Sequence, residues 1–190
     1  NVSNEGSIRI ASYIGTFIAE LAKNVDELLL FAFTSENPIE EQNYLLQNNN
    51  ITLIDLGKKP KLPFIVMFGS WILKKYKSDI QLCDRILVRA PSPLAPHFYF
   101  LKSQKISYLL VGDYLRFLKH MKLPFLKKIL TYIFLYINDY QQRKAIKKTQ
   151  VFANSQLLKN KYIKLNSNIE IIKTTVVYKE DIYQKLNLSL

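Results

Sequence analysis

The chain has 190 residues, 48% of them hydrophobic and 22% charged, which excludes a disordered chain and suits one domain with a full core. One cysteine, Cys83, excludes an internal disulfide and a cysteine-based zinc site, and favours a cytosolic setting. Only five glycines argue against a Gly-rich nucleotide loop, and 27 basic against 15 acidic residues give a net charge of +12. A charge of that sign points to an anionic partner: nucleic acid, an anionic membrane surface or a phosphorylated substrate. Lys, Asn and Ile are abundant along the whole chain, so part of the charge is compositional background.

The opening Asn1-Val2-Ser3-Asn4-Glu5-Gly6 reads as a loop, with no apolar signal core after it, and the chain is expected to be a fragment of a longer protein. Gly6 stands where a tight strand-to-helix loop needs a glycine. Ile10, Tyr13, Ile14, Phe17, Ile18 and Leu21 then follow helical spacing and predict an amphipathic helix over 7–23. An apolar run over 28–33 predicts a strand, and a short helix is expected over 40–47. The next strand is 51–56, closed by Gly57, and an apolar helix over 64–77 ends in Lys74, Lys75 and Lys77, which suit the negative end of its dipole.

Ile86 to Val88 is a short apolar run halted by Pro91 and Pro93, the pattern of a buried strand entering a loop. A short helix over 94–102 and a strand over 106–111, ending at Gly112-Asp113, complete a βαβ unit. Residues 114–148 form a long helical region interrupted at Pro124. A strand over 151–153 follows, and Asn154-Ser155 caps a helix over 156–165. Residues 169–172 and 174–178 are extended, and 180–186 form a last helical turn. Strands that alternate with helices throughout predict an α/β fold, a Rossmann-like parallel sheet with helices on both faces.

Ligands of open α/β sheets bind outside the carboxyl ends of the strands. The loops to watch are therefore 89–93 and 112–114. Ser92 offers a hydroxyl at a strand end, or simply ends the strand and starts a helix. Asp113 could accept a hydrogen bond from a sugar hydroxyl, or cap the helix that begins at Tyr114. Arg89 is either an anion contact or half of a buried ion pair. His97 reads as a partly buried helix residue; neither it nor His120 has a second ligand at metal spacing. No catalytic signature is complete, so no catalytic and no metal residue is assigned.

Residues 114–135 interleave Arg116, Lys119, His120, Lys122, Lys127 and Lys128 with large apolar side chains. That mixture suits the interface of an anionic bilayer, or a core-packed helix with a solvated basic face. It disfavours nucleic acid, for which no recognition fold is evident. The apolar run 129–137 is too short to span a bilayer.

Several segments together resemble the N-terminal, acceptor-side domain of family-4-like glycosyltransferases with the GT-B fold. Gly6 and the helix after it, with Val25-Asp26-Glu27-Leu28-Leu29-Leu30, are similar to that family's first loop, helix and second strand. Asp84-Arg85-Ile86-Leu87-Val88-Arg89-Ala90-Pro91 resembles its strand into the acceptor loop. Thr149-Gln150-Val151-Phe152-Ala153-Asn154-Ser155-Gln156-Leu157-Leu158 resembles the segment before its interdomain crossover. The usual Asn-Gly of that crossover is replaced by Tyr178-Lys179. The family's first strand and its nucleotide-sugar domain, with paired glutamates, lie outside these residues.

The resemblance implies that residues 1–190 form a single Rossmann-like domain that binds a glycan or lipid-linked acceptor through Gly6, Arg89, Pro91, Ser92 and Asp113. It implies no cofactor in this domain, a nucleotide-sugar donor held by a C-terminal domain in cis, and no transfer by this part alone. It also implies a cytoplasmic protein, peripheral on the inner face of the cell membrane through Arg116, Lys119, Lys122, Lys127 and Lys128. The rival expectation is a non-catalytic basic α/β module that docks on an anionic membrane or a protein partner.

Overall fold

A computed structural model describes residues 3–4, 8–35, 43–101, 106–118 and 121–172. The sequence reading takes 1–190 as one domain; within it the contacts gather into two compact units, one from Asn1–Lys59 and one from Pro60–Ile172. Both are α/β, with parallel strands flanked by helices.

The first unit holds β1 (Ser3–Asn4), β2 (Ile8–Ile10), α1 (Ser12–Ala22), β3 (Leu28–Thr34), β4 (Tyr44–Leu46) and β5 (Ile51–Lys58). β3 and β5 pair in parallel, Leu28 opposite Ile51. β2 instead pairs antiparallel with β1 and with β4, Ile10 opposite Tyr44. Three expectations are corrected here. The helix expected over 7–23 begins at Ser12, because Ile8 and Ile10 turn to one side and exposed Arg9 to the other, as strand residues do. Within the helix expected over 40–47, residues 44–46 form a strand whose Leu46 is buried. The parallel pattern also does not run through the whole chain.

Ile10, Ile18, Ala19, Ala22, Leu46 and Ile51 make the core of this unit. α1 approaches β4 closely enough that a Cβ at Gly15 would collide with the Tyr44 ring. Asn50 ties the end of α1 to the start of β5. Its Nδ2 donates to the carbonyls of Ala22 and Val25, at 2.8 and 2.9 Å.

The second unit holds α2 (Leu62–Lys74), α3 (Lys77–Leu82), β6 (Ile86–Ala90), α4 (Ala95–Tyr99), β7 (Ile106–Leu110), α5 (Tyr114–Leu118), α6 (Phe125–Ile146), β8 (Gln150–Ala153), α7 (Gln156–Tyr162) and β9 (Ile169–Ile171). The sheet order is β6-β7-β8-β9, every pair parallel. β7 and β8 are buried on both faces, with Tyr108, Leu109, Leu110, Val151 and Ala153 inaccessible, which is why they read as continuous apolar runs rather than alternating ones. The Tyr108 hydroxyl donates to the Ala95 carbonyl at 3.0 Å. Burial pushes that phenol well above its ordinary range.

Two helices begin where the sequence places its punctuation. Pro124 is the N-cap of α6, and the Ser155 hydroxyl caps α7 by accepting from the Leu158 amide. The helix expected over 64–77 ends at Lys74, and a separate short α3 follows. α2 and α4 meet at a glycine: a Cβ at Gly69 would strike the ring of His97. His97 is a buried packing residue with Ser70 Oγ 3.0 Å from its Nδ1. Burial lowers its pKa, against the opposing pull of the Val66 and Ile65 carbonyls.

Candidate functional site

Because β6, β7 and β8 run parallel, the loops that leave their carboxyl ends share one edge of the sheet. Backbone hydrogen bonds stitch that edge together. The Val111 amide donates to Ala90 O at 2.7 Å, and the Asn154 amide to Leu110 O at 3.0 Å. Asn154 adds its side chain, Nδ2 to Val111 O at 3.2 Å. The Ala90–Pro91 peptide bond is cis.

A crevice opens at this edge. Its floor and walls come from Pro91 after β6, Gly112 to Leu115 after β7, Leu135, Asn138, Asp139 and Gln142 on α6, and Tyr162 on α7. The enclosed space is about 10 Å³, roughly one water. It is a recess that a larger ligand would lie across, not a chamber that would swallow one. No side chain is needed at Gly112 to form it; a Cβ there would come within 3.5 Å of the Pro91 ring, an ordinary contact.

One side of the crevice is ionic. Lys161 Nζ sits 2.8 Å from Asp113 Oδ2 and 3.2 Å from Asp139 Oδ1. Arg143 Nε lies 2.6 Å from Asp139 Oδ2, an i,i+4 pair on α6. The Tyr162 hydroxyl donates to Asp139 Oδ1 at 3.2 Å, and Gln142 Nε2 donates to that hydroxyl at 3.4 Å. Two carboxylates and two cations therefore neutralise each other under partial cover.

Burial alone would raise the Asp139 pKa, but the hydrogen bond from Arg143 and the charge of Lys161 outweigh it and hold it below the usual carboxylate value. Burial likewise works against the charged form of Lys161, yet its hydrogen bond to Asp113 leaves its pKa raised. The hydrogen bond to Asp139 raises Arg143. Burial first, and Asp139 second, raise the Tyr162 phenol. Asp139 and Lys161 thus stay ionised at neutral pH, Asp139 lining the recess and Lys161 pairing with it from behind.

Of the residues singled out in the sequence, Pro91 and Asp113 line the crevice. Asp113 does what its capping reading requires, since its Oδ1 accepts from the amides of Leu115 and Arg116 at 3.0 and 3.4 Å. Its other oxygen takes Lys161. Ser92 turns inward on its own loop, its Oγ accepting from the Leu94 amide at 3.3 Å, which is the strand-ending role; it does not line the crevice. Arg89 is exposed on β6 between buried Val88 and Ala90, so it is not half of a buried ion pair. Arg116, Lys122 and Lys127 are exposed and Lys128 half-buried. Gly6, Lys119 and His120 lie outside the described residues, as do 174–178 and 180–186.

Asp139, Lys161, Arg143 and Tyr162 went unassigned in the sequence. One signal was there to be read: Asp139 is the sole acidic residue between Tyr114 and Lys148, and Arg143 follows it by one helical turn. Among the described residues no three His, Cys, Asp or Glu side chains gather as metal ligands, and no helix is long and apolar enough to cross a membrane.

No family model, no curated protein and no solved structure matches this chain. Chemically, the crevice is lined by the carboxylates of Asp113 and Asp139, with the amides of Asn138 and Gln142 and the Tyr162 phenol buried behind them in hydrogen bonds within the protein. Among its described lining residues there is no Ser, Thr, Cys, Lys or His.

Proposed function

We propose that residues 1–190 belong to the acceptor-side, Rossmann-like half of a GT-B glycosyltransferase, and that the second unit holds a glycan or lipid-linked acceptor across its crevice. The supporting observation is the convergence of the loops after β6 and β7 on one carboxyl edge, with Asp113 and Pro91 beside one recess. That is where an open α/β sheet places its ligand. The carboxylates of Asp113 and Asp139, which line the recess, supply acceptors for sugar hydroxyls. The nucleotide-sugar donor and the transfer chemistry belong to the rest of such an enzyme.

A glycan array probed with the 190-residue chain tests this reading. Binding to a restricted set of glycans, weakened in Asp113→Asn, in which the asparagine can still cap α5, is the expected result. Absence of any glycan binding by the wild-type chain sinks it.

A further inference from the structure

Two stretches of the second unit, residues 60–78 and 114–138, carry nine of the 27 basic residues and none of the 15 acidic ones, which leaves 18 against 15 elsewhere. Three quarters of the net charge of +12 therefore resides in these two stretches, which contain α2, α5 and the first part of α6. The same stretches carry most of the large apolar side chains left in solvent among the described residues. On α2, Phe64, Met67, Phe68 and Trp71 follow i, i+3, i+4, i+7 spacing, and Met67, Phe68 and Trp71 are each more than half exposed. The other face of α2 is already buried through Ile65, Val66, Ile72 and Leu73. A helix apolar on both faces has a second surface to cover.

α6 repeats the pattern. Phe125 and Leu126 are 76% and 75% exposed, and Ile129, Leu130 and Ile133 follow them into solvent. α2 and α6 pack against each other, Gln141 Nε2 donating to Val66 O at 3.2 Å. Exposed Lys61, Lys74, Lys75 and Lys127 accompany the apolar strips, and Lys75 Nζ lies 4.6 Å above the Trp71 ring.

We propose that the α2–α6 surface lies on an anionic lipid bilayer, with Trp71, Phe68 and Met67 at the acyl boundary and the lysines at the headgroup phosphates. This goes beyond the crevice reading and does not rest on it. Aromatic, aliphatic and Lys side chains without a single carboxylate are the composition of a helix surface seated at a bilayer interface. A bare apolar patch of this kind in solvent marks an interaction site. The sequence alone points to 114–135; α2, with the chain's one tryptophan, is added by the fold.

Trp71 is the single tryptophan, so its emission reports on this surface directly. The 190-residue chain is titrated with vesicles of phosphatidylcholine plus phosphatidylglycerol, and with phosphatidylcholine alone. A blue shift with the anionic vesicles, quenched by brominated acyl chains and weakened by salt, is expected. Lys74→Gln with Lys75→Gln weakens vesicle affinity roughly thirtyfold. Three results overturn the proposal: no shift with anionic vesicles, equal binding to neutral ones, or a shift that grows with protein concentration without vesicles. The last would make the surface a contact between copies of this chain.

Discussion

Lys161, on α7, places its Nζ 2.8 Å from Oδ2 of Asp113, the residue that caps α5. The ammonium thereby links two elements that bound one crevice, and it reaches Asp139 on α6 as well. Removing it leaves two partly buried carboxylates without their shared cation. Lys161→Met is expected to destabilise the second unit by about 2 kcal/mol, below the range for a fully buried pair because the side chain keeps some solvent. Urea unfolding followed by circular dichroism measures this; a midpoint equal to wild type would show that Arg143 alone satisfies the site.

The same cluster fixes a pH dependence. Asp139 is depressed in the folded state, so the unfolded chain binds more protons in acid. The stability it contributes is present above the unfolded carboxylate value of about 3.9 and is lost as pH falls through that value toward the lower folded one. Lys161 is raised when folded, so its contribution is present below about 10.4 and is lost as pH rises through the folded value. Thermal unfolding from pH 7 down to about 3 should fall less steeply in Asp139→Asn than in wild type. Parallel curves would remove Asp139 from the acid limb.

The contact of Gly69 with His97 makes a third test. Gly69→Ala drives a methyl into a buried imidazole and is expected to cost about 1–3 kcal/mol, although alanine favours a helix over glycine. His97→Ala alone opens a cavity and loses the contact with Ser70. In the double variant the new methyl occupies space the ring has left, so the two losses should not add. A double-mutant cycle by chemical denaturation reads the coupling, and strict additivity would refute the packing account.

The second unit was legible where local chemistry settles the matter. Apolar runs at Ile86 to Val88 and Ile106 to Val111, bounded by prolines and Gly112, became β6 and β7, and Ser155 became the cap of α7. The first unit was less legible because Ile10 falls both on the helical spacing of Tyr13, Ile14 and Phe17 and on the strand spacing of Ile8, and only pairing with β4 decides between them. Tyr44 to Leu46 owe their extended form to that same distant partner. At the crevice, Asp113 was found as a strand-end acid. The other half of the site could not be read locally, since Lys161 lies 48 residues from Asp113 and 22 from Asp139.

The unbroken order β6-β7-β8-β9 also bears on how the protein is made. Each strand of the sheet pairs first with the strand synthesised just before it, Ile106 with Ile86, Ser107 with Gln150 and Val151 with Ile169. A nascent chain leaving the ribosome therefore finds the docking edge for every new strand already built, and no strand has to wait for a distant successor. Assembly of this sheet can keep pace with translation, which shortens the time its bare edges are open to neighbouring chains.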